Sequence, residues 1–452
     1  MSNKIEINNS YIEYLTTLIK NKQAKKIKKI ISELHVADIA EIINYIYNKD
    51  VKYFYNLITE IETEKAAAVL INLESDTRSE LLHSLAAKEI SKNIINNLAT
   101  DDAVDIVGEL AEEKRKIVLS LIKDLKKAND INDLLKYAEN TAGGLMAKEL
   151  IKVNENWNTV QCLKEMRKQA NNIKKVYTIY VVDDNNKLLG LMSLRRLLLT
   201  EKSTAIKDII LKEIISVKAS EESENVVNLM QKYDLVALPV IDDSGRLIGR
   251  ITIDDVMDVA KEEAQKDYQM ASGISEYIES NNSIWELTRA RLPWLLIGML
   301  GGILGAQVIG IFNLSENLEL AFFIPLIAAM GGNVGVQSAA IVVQGLANES
   351  LKMDNILQKL LKELSVGLVN GIICSIIILV TTFGLGYSMH LSLTVSVSLL
   401  TVIVFAALFG TFTPLTLKKY NIDPALATGP FITTVNDVLG LFIYFFIGQS
   451  IL

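Results

Sequence analysis

One carboxylate lies inside an otherwise apolar segment near the end of the sequence. Asp437 ends the run Phe431-Ile-Thr-Thr-Val-Asn-Asp437, and mostly apolar residues continue beyond it. A charged carboxylate in the middle of a membrane helix costs at least about 2.5 kcal/mol unless it meets water, a cation or another polar group. Asp437 is therefore predicted to lie on an ion pathway. The alternative is a structural hydrogen bond, or a protonated acid that joins two helices.

A second acid, Asp423, precedes Asp437 by 14 residues. Because Pro424 follows it, Asp423 is expected to cap a helix whose first residue is proline. At about 100° of rotation per residue, one continuous helix would carry both acids on the same face. The other residues on that face are Ala427, Pro430 and Thr434. This arrangement predicts the lining of a cation path, with Asp423 at its mouth and Asp437 at mid-depth.

Two amide side chains in an earlier apolar segment are further candidates to line the path. Asn333 and Gln337 are four residues apart, a spacing that places them on one face of a helix. Three glycines, at positions 331, 332 and 335, surround them. The alternative explanation of the glycines is close helix packing, which membrane proteins favour.

Five apolar segments can position these groups in a membrane. They run over residues 292–312, 320–346, 364–389, 391–417 and 425–452. Each has at least about 20 residues, enough for a helix to cross a hydrocarbon layer of about 30 Å. All seven Lys and Arg residues after position 284 fall on one side of these spans. By the positive-inside rule, that side and residues 1–284 are cytoplasmic, and the C-terminus is extracytoplasmic. The sequence therefore predicts a multi-pass protein of the plasma (cell inner) membrane.

Residues 1–284 differ from the rest in composition. The whole chain is 50% hydrophobic and 22% charged, but the first 284 residues hold 39 basic (46 − 7) and 45 acidic (53 − 8) side chains. Their net charge of −6 suits a cation and argues against a nucleic-acid partner, which requires a basic surface. Cys162 and Cys374 lie in different halves, so no disulfide framework is expected.

Short segments with helical periodicity recur between about residues 10 and 135, almost without Gly or Pro. They predict a small superhelix of stacked helices, with 88–98 as one of them. Asp101 and Asp105 lie four residues apart on one such helix. The usual explanation of such a pair is a solvated helix start; the alternative is part of a metal site.

An internal repeat follows between about residues 148 and 262. Residues 182–197 align with 241–256 at an offset of 59, and each copy has two apolar strands around an Asp-rich turn. The repeat resembles a tandem pair of cystathionine β-synthase-type (CBS) modules, a family of regulatory sensors that often bind adenosine nucleotides. Thr252 and Asp255 match the ribose-binding pattern of that family, whereas the first copy has Arg196 in place of the acid. The resemblance implies at most one nucleotide site, for ATP as a regulator.

The order of these parts resembles the MgtE family of magnesium channels over nearly the full chain. The matching motifs are Leu34–Glu41, Asn140–Met146, Lys232–Val240, Arg291–Trp294, Met330–Gln337 and Asp423–Asp437. The resemblance implies a multidomain fold: an all-α cytosolic superhelical domain, an α+β tandem CBS pair, a long connecting helix and a five-helix α transmembrane domain. The expected bounds are 1–137, 138–262, 263–288 and 289–452.

Family membership would also imply a homodimer in membrane lipid, with a Mg²⁺ pore between the two transmembrane halves. Asp437 matches the acid that holds hydrated Mg²⁺, and Asp423 matches the acid at the cytoplasmic mouth. Cytosolic Mg²⁺ would close the pore by bridging the helical domain, the CBS pair and the connecting "plug" helix. The residues that match the regulatory Mg²⁺ sites are Asp101, Asp105, Glu224, Asp234, Asp255, Asp258 and Asp267.

Three other functions are compatible with parts of this sequence. A secondary transporter that exchanges the cation for Na⁺ or H⁺ would use Asp437 as a titrating relay. A membrane-bound enzyme is disfavoured because we find no P-loop, zinc-protease or serine-hydrolase motif. A pure nucleotide sensor would leave Asp437 without a role.

Overall fold

The computed structural model describes residues 8–46, 48–170, 173, 176–278, 282–312, 318–347, 356–427 and 429–451. The chain divides into two compact units, Met1–Lys261 and Glu262–Leu452.

The first half of unit 1 is a stack of short helices. They are α1 (Asn9–Lys20), α2 (Ala24–Glu33), α3 (Val36–Tyr45), α4 (Asn48–Ile61), α5 (Thr63–Ile71), α6 (Ser75–Ser84), α7 (Ala87–Glu89), α8 (Thr100–Gly108), α9 (Glu112–Ser120) and α10 (Leu125–Leu134). Their apolar faces form one continuous core. The helical domain expected from the periodicity is confirmed.

One predicted helix, 88–98, is wrong as a single element. The chain passes from α7 into a π-helical turn, Ile90–Ile94, and then into a 3₁₀ turn, Ile95–Asn97. Ile90, Ile94 and Ile95 are all buried. A π-helical turn joins residues i and i+5, and the N–H of Ile95 donates to the carbonyl of Ile90, so these two isoleucines can reach the core on the same side.

The second half of unit 1 contains the two repeat copies. The first comprises α11 (Ala142–Leu145), β1 (Ile151–Asn154), α12 (Thr159–Gln169), β2 (Ile179–Val182), β3 (Leu188–Met192) and α13 (Leu194–Leu199). The second comprises β4 (Val217–Lys218), α14 (Ser223–Lys232), β5 (Ala237–Ile241), β6 (Leu247–Thr252) and the start of α15 (Ile253–Ala271).

The two copies fold alike. Each has a three-stranded sheet whose first two strands are parallel and whose last two are antiparallel. The register shifts between Val181 and Val182 in one sheet and between Val240 and Ile241 in the other, which are equivalent positions. The repeat is confirmed. The sequence pattern missed β1 and β4, which are only four and two residues long.

Unit 2 contains five helices long and apolar enough to cross a membrane. They are α16 (Ile284–Ile311), α17 (Ile324–Ala347), α18 (Ile356–Gly384), α19 (Met389–Lys419) and α20 (Gly429–Ile451). Helix α19 packs against α17, α18 and α20 and has the most buried side chains of the five. The five predicted spans are confirmed.

The bounds of the long connecting helix differ from those expected. Helix α15 begins at Ile253, directly after β6, and ends at Ala271 instead of continuing to residue 288. Gly273 follows it with a φ of +81°, a left-handed conformation that glycine adopts readily. Residues 272–278 are not helical, and the next helix, α16, begins at Ile284.

Candidate functional site

The two acids Asp423 and Asp437 do not lie on one continuous helix, so that prediction is wrong. Residues Pro424–Ala427 form a 3₁₀ turn, and α20 begins only at Gly429, whose φ is +48°. The backbone N–H of Ala425 donates to Oδ1 of Asp423 at 2.9 Å, so Asp423 does act as a cap. Because the helix is not continuous, Asp423 and Ala427 are not placed on the same helix face as Asp437. Asp423 is exposed and Ala427 is buried.

The half-buried carboxylate of Asp437 lies next to Gly332 of α17. A Cβ atom built on Gly332 would lie 3.6 Å from Oδ1 of Asp437 and 3.4 Å from Cγ2 of Thr433. Thr433 and Asp437 are four residues apart on α20, so they occupy the same face. Our sequence reasoning missed Thr433, although its spacing from Asp437 could have identified it.

Two other predicted lining residues contact different elements. A Cβ on Gly301 of α16 would collide with Cγ2 of Thr434, so this side chain is directed towards α16. Pro430 lies in the first turn of α20, where its missing N–H costs no helical hydrogen bond. A Cβ on Gly273 would lie 2.6 Å from Cγ of Pro430. The structure therefore does not bring Thr434 and Pro430 to the α17 surface that Asp437 faces.

The two amides of α17 are on the helix turns next to that surface. Asn333 immediately follows Gly332, and both Asn333 and Gln337 are exposed in the single chain. By contrast, Gly331, Gly332 and Gly335 are buried against the other helices. The exposed amides and the carboxylate of Asp437 are thus carried by adjoining parts of α17 and α20.

Three of the predicted regulatory acids lie near enough to one another in unit 1 for their charges to interact. Asp101 and Asp105 lie on α8, and Asp255 lies in the first turn of α15. Burial and the nearby charge of Asp255 hold the pKa of Asp101 well above its usual value. Desolvation, followed by the charge of Asp102, raises the pKa of Asp105 to about 6. These carboxylates repel one another, and a divalent cation placed among them would lower that repulsion.

Glu149 also belongs to this acidic group, and the sequence reasoning missed it. Its Oε2 atom accepts hydrogen bonds from Oγ1 of Thr100 at 2.6 Å and from the Thr100 backbone N–H at 3.1 Å. The N-cap residue of α8, Ala99, has no side chain that could do this. Glu149 therefore caps α8 from outside the helix. Only a contact across 49 residues provides this cap, which is why no local sequence pattern indicated it.

The remaining predicted metal ligands are apart from this group. Glu224 lies in the first turn of α14, and Asp234 follows that helix with a φ of +50°. Asp258 and Asp267 are exposed on α15. Within the described part of the chain, no three His, Cys, Asp or Glu side chains are grouped closely enough to hold one metal ion.

The predicted nucleotide-binding pair is hydrogen-bonded internally. Oγ1 of Thr252 donates to Oδ2 of Asp255 at 2.7 Å, and the Thr252 backbone N–H donates to the same atom at 3.0 Å. In the first copy, Oγ of Ser193 accepts from the Arg196 backbone N–H at 3.2 Å, so it is a helix cap without an acid. Only the second copy offers a hydroxyl and a carboxylate side by side.

Comparison with known proteins gives matches to all three parts of the chain. The MgtE family, described as divalent cation transporters, matches residues 324–447; the MgtE intracellular N domain matches 34–140, and CBS domains match 142–201 and 206–262. The magnesium transporter MgtE of Thermus thermophilus is 32% identical over 395 residues, which cover 86% of this chain and 87% of that protein. The chain belongs to the MgtE family. The MgtE of Enterococcus faecalis is 34% identical over 322 residues, 71% of each chain.

A solved structure is also similar to about half of the chain. It is the cytosolic domain of the Mg²⁺ channel MgtE in complex with ATP, which is 29% identical, has a TM-score of 0.44, and covers 52% of this chain and 99% of its own. The family resemblance inferred from the motifs is confirmed by the matches over most of the chain. As a member of the MgtE family, the protein is a membrane transporter and not an enzyme.

Proposed function

We propose that this protein is a Mg²⁺-selective channel that takes magnesium up across the plasma membrane. The observation that carries the proposal is the position of Asp437, a half-buried carboxylate within α20. Mg²⁺ gives up its water reluctantly and usually keeps several water ligands. The partly exposed carboxylate suits such a hydrated ion, because it can accept hydrogen bonds from the bound water.

Asp437 is the one carboxylate within the described residues of α20, so we propose a homodimer in membrane lipid. A second copy would place another Asp437 across a two-fold axis and give the ion two negative charges. The exposed amides of Asn333 and Gln337 support this arrangement, because exposed amides on a membrane helix need a polar surrounding such as a pore. Asp423, exposed before the 3₁₀ turn, would attract cations at the mouth.

The positive charges support a cytoplasmic N-terminus and an extracytoplasmic C-terminus. Arg289 and Arg291 lie near the start of α16, Lys362 near the start of α18, and Lys418 and Lys419 at the end of α19. Five antiparallel spans put these three helix ends on one side. Lys352 lies outside the described residues.

We further propose that cytosolic Mg²⁺ closes the channel. The crowded carboxylates of Asp101, Asp105 and Asp255 are the main support, since a bound cation would favour the arrangement in which they are close. Glu224, Asp234, Asp258 and Asp267 would serve other interfaces between the domains at 1–137, 138–262 and 263–288. ATP is proposed as a modulator at Thr252 and Asp255, which would have to exchange their mutual hydrogen bond for bonds to the ribose.

The pore role is tested by Mg²⁺ uptake into proteoliposomes that contain a fluorescent Mg²⁺ indicator. We expect D437A and D437N to reduce uptake to that of protein-free vesicles while the protein still elutes as a dimer. E319Q is the matched control, because Glu319 is an exposed acid of the same unit. Wild-type uptake by D437N would refute the pore role. Single-channel recording separates a channel from a coupled exchanger, since discrete openings under voltage exclude strict coupling.

A further inference from the structure

The residue before Asp437 is a buried polar side chain that the proposed ion path does not use. Asn436 is 1% exposed, whereas its neighbour Asp437 is half-buried. Among the residues that the structure describes, neither Nδ2 nor Oδ1 of Asn436 has a hydrogen-bond partner. An amide without a hydrogen-bond partner is costly at this depth. The position of the amide therefore needs an explanation.

The side chain of Asn436 lies in a slot where α17 has two glycines: its amide lies against Gly335 and its Cβ is near Gly331. A Cβ built on Gly335 would collide with Nδ2 and would lie 3.2 Å from Cγ of Asn436. One turn earlier, a Cβ on Gly331 would lie 3.9 Å from Cβ of Asn436. The slot is closed from behind by α19, because a Cβ on Gly410 would collide with the carbonyl oxygen of Gly335.

The absent side chain of Gly335 leaves space for a thin planar group. Membrane helices use small residues and polar side chains together at close crossings. A branched apolar side chain at position 436 would be thicker than the planar amide. Shape therefore favours asparagine opposite Gly335.

We propose that Asn436 is a positioning residue for Asp437: its amide, which fills the space beside Gly335, fixes the rotation of α20 so that Asp437 faces Gly332. Adjacent residues on a helix differ by about 100°, so holding one of them in a slot sets the direction of the next. Gly332 lies between the two slot glycines in the sequence, on the surface that Asp437 faces. This inference rests on the proposed function of Asp437.

The test measures whether position 437 still faces water when the slot is altered. A cysteine is introduced by D437C in a C162S/C374S background of the full-length protein, and its rate of modification by a cationic thiosulfonate is followed by mass spectrometry. The rate is compared among N436L, G335A and the double variant G335A/N436A. The double variant adds a methyl group at position 335 and removes the amide at position 436. G302A is the matched control, because a Cβ there meets nothing within 4 Å. E319C, at an exposed position, reports general reactivity.

We expect N436L and G335A to slow modification at position 437 by about tenfold or more, because a thiol turned into helix packing loses its reactivity. Modification at E319C and in G302A should not change. The double variant should recover most of the rate, since the new methyl group occupies the space that the amide leaves.

Three results would overturn the inference. The first is an unchanged rate at 437 in both single variants, and the second is an equal slowing at 437 and 319, which shows that the effect is not specific to position 437. The third is a double variant no faster than the single ones. If D437C without other changes resists modification although E319C reacts, the proposed aqueous path at Asp437 fails as well. The labelling requires no transport, so it separates these two failures.

Discussion

The contact that caps α8 gives a stability prediction that can be worked out from the structure. Oγ1 of Thr100 donates to Oε2 of Glu149 at 2.6 Å and accepts from the backbone N–H of Lys148 at 2.8 Å, and the side chain is 2% exposed. T100V keeps the shape but removes both hydrogen bonds. A hydrogen bond to a charged group contributes about 1.5–3 kcal/mol, and a buried N–H without an acceptor costs about 1–3 kcal/mol.

Glu149 retains the backbone N–H of Thr100, so we expect a total loss of about 3 kcal/mol. For a unit of this size each kcal/mol lowers the melting temperature by about 2–4 °C, which gives a decrease of about 6–12 °C. Thermal unfolding of the full-length protein measures this, and hydrogen exchange should show faster exchange at the Lys148 amide.

T59V is the matched control, because the Thr59 hydroxyl donates to the carbonyl of Tyr55 in its own helix, at 3.1 Å. We expect T59V to leave the Lys148 amide protected. If T100V melted within about 1 °C of the wild type and left the exchange of Lys148 unchanged, the capping contact would be refuted.

Two further predictions concern the acidic group. Burial and repulsion raise the pKa of Asp101, and they raise the pKa of Asp105 to about 6. The folded state therefore binds protons more tightly than the unfolded state. Without Mg²⁺, the free energy of unfolding should fall as the pH rises from about 4 to about 6 and beyond. The melting temperature measured against pH should show this decrease, and Mg²⁺ should restore stability at neutral pH. In a D101N/D105N variant the melting temperature should depend less on pH. An unchanged pH dependence in that variant would contradict the role given to these two acids. The triple variant D101N/D105N/D255N should keep conducting when Mg²⁺ on the cytosolic side is raised in patch recordings, and normal closure would remove these residues from the sensor.

The sequence was informative where a pattern repeats over many residues. The five spans are long apolar runs, and the structure moves their ends by only a few residues, except where α16 and α18 extend into polar turns. The CBS repeat was recognisable because its strands and Asp-rich turns recur at a fixed offset. The equivalent register shifts in β2 and β5 follow from this repetition.

The sequence was less informative where a single position interrupts a regular element. The left-handed Gly429 separates Asp423 from α20, and rotation arithmetic cannot anticipate such a break. The side chain of Thr433 contacts α17 and that of Thr434 contacts α16, which depends on how the helices pack. Glu149 caps α8 although it is 49 residues away from Thr100 in the sequence. Such contacts arise from tertiary packing and leave no local pattern.

The segment after α15 has a mechanical consequence for α20. Gly273 fits against the ring of Pro430, and a Cβ on Gly429 would lie 2.6 Å from the carbonyl oxygen of Ala271. The backbone N–H of Ser275 also donates to the carbonyl of Ala290 on α16, at 2.9 Å. The C-terminal end of α15 thus contacts the N-terminal end of α20, the helix that bears Asp437. Even a displacement of that end of α15 by the width of a methyl group would therefore shift the N-terminus of α20.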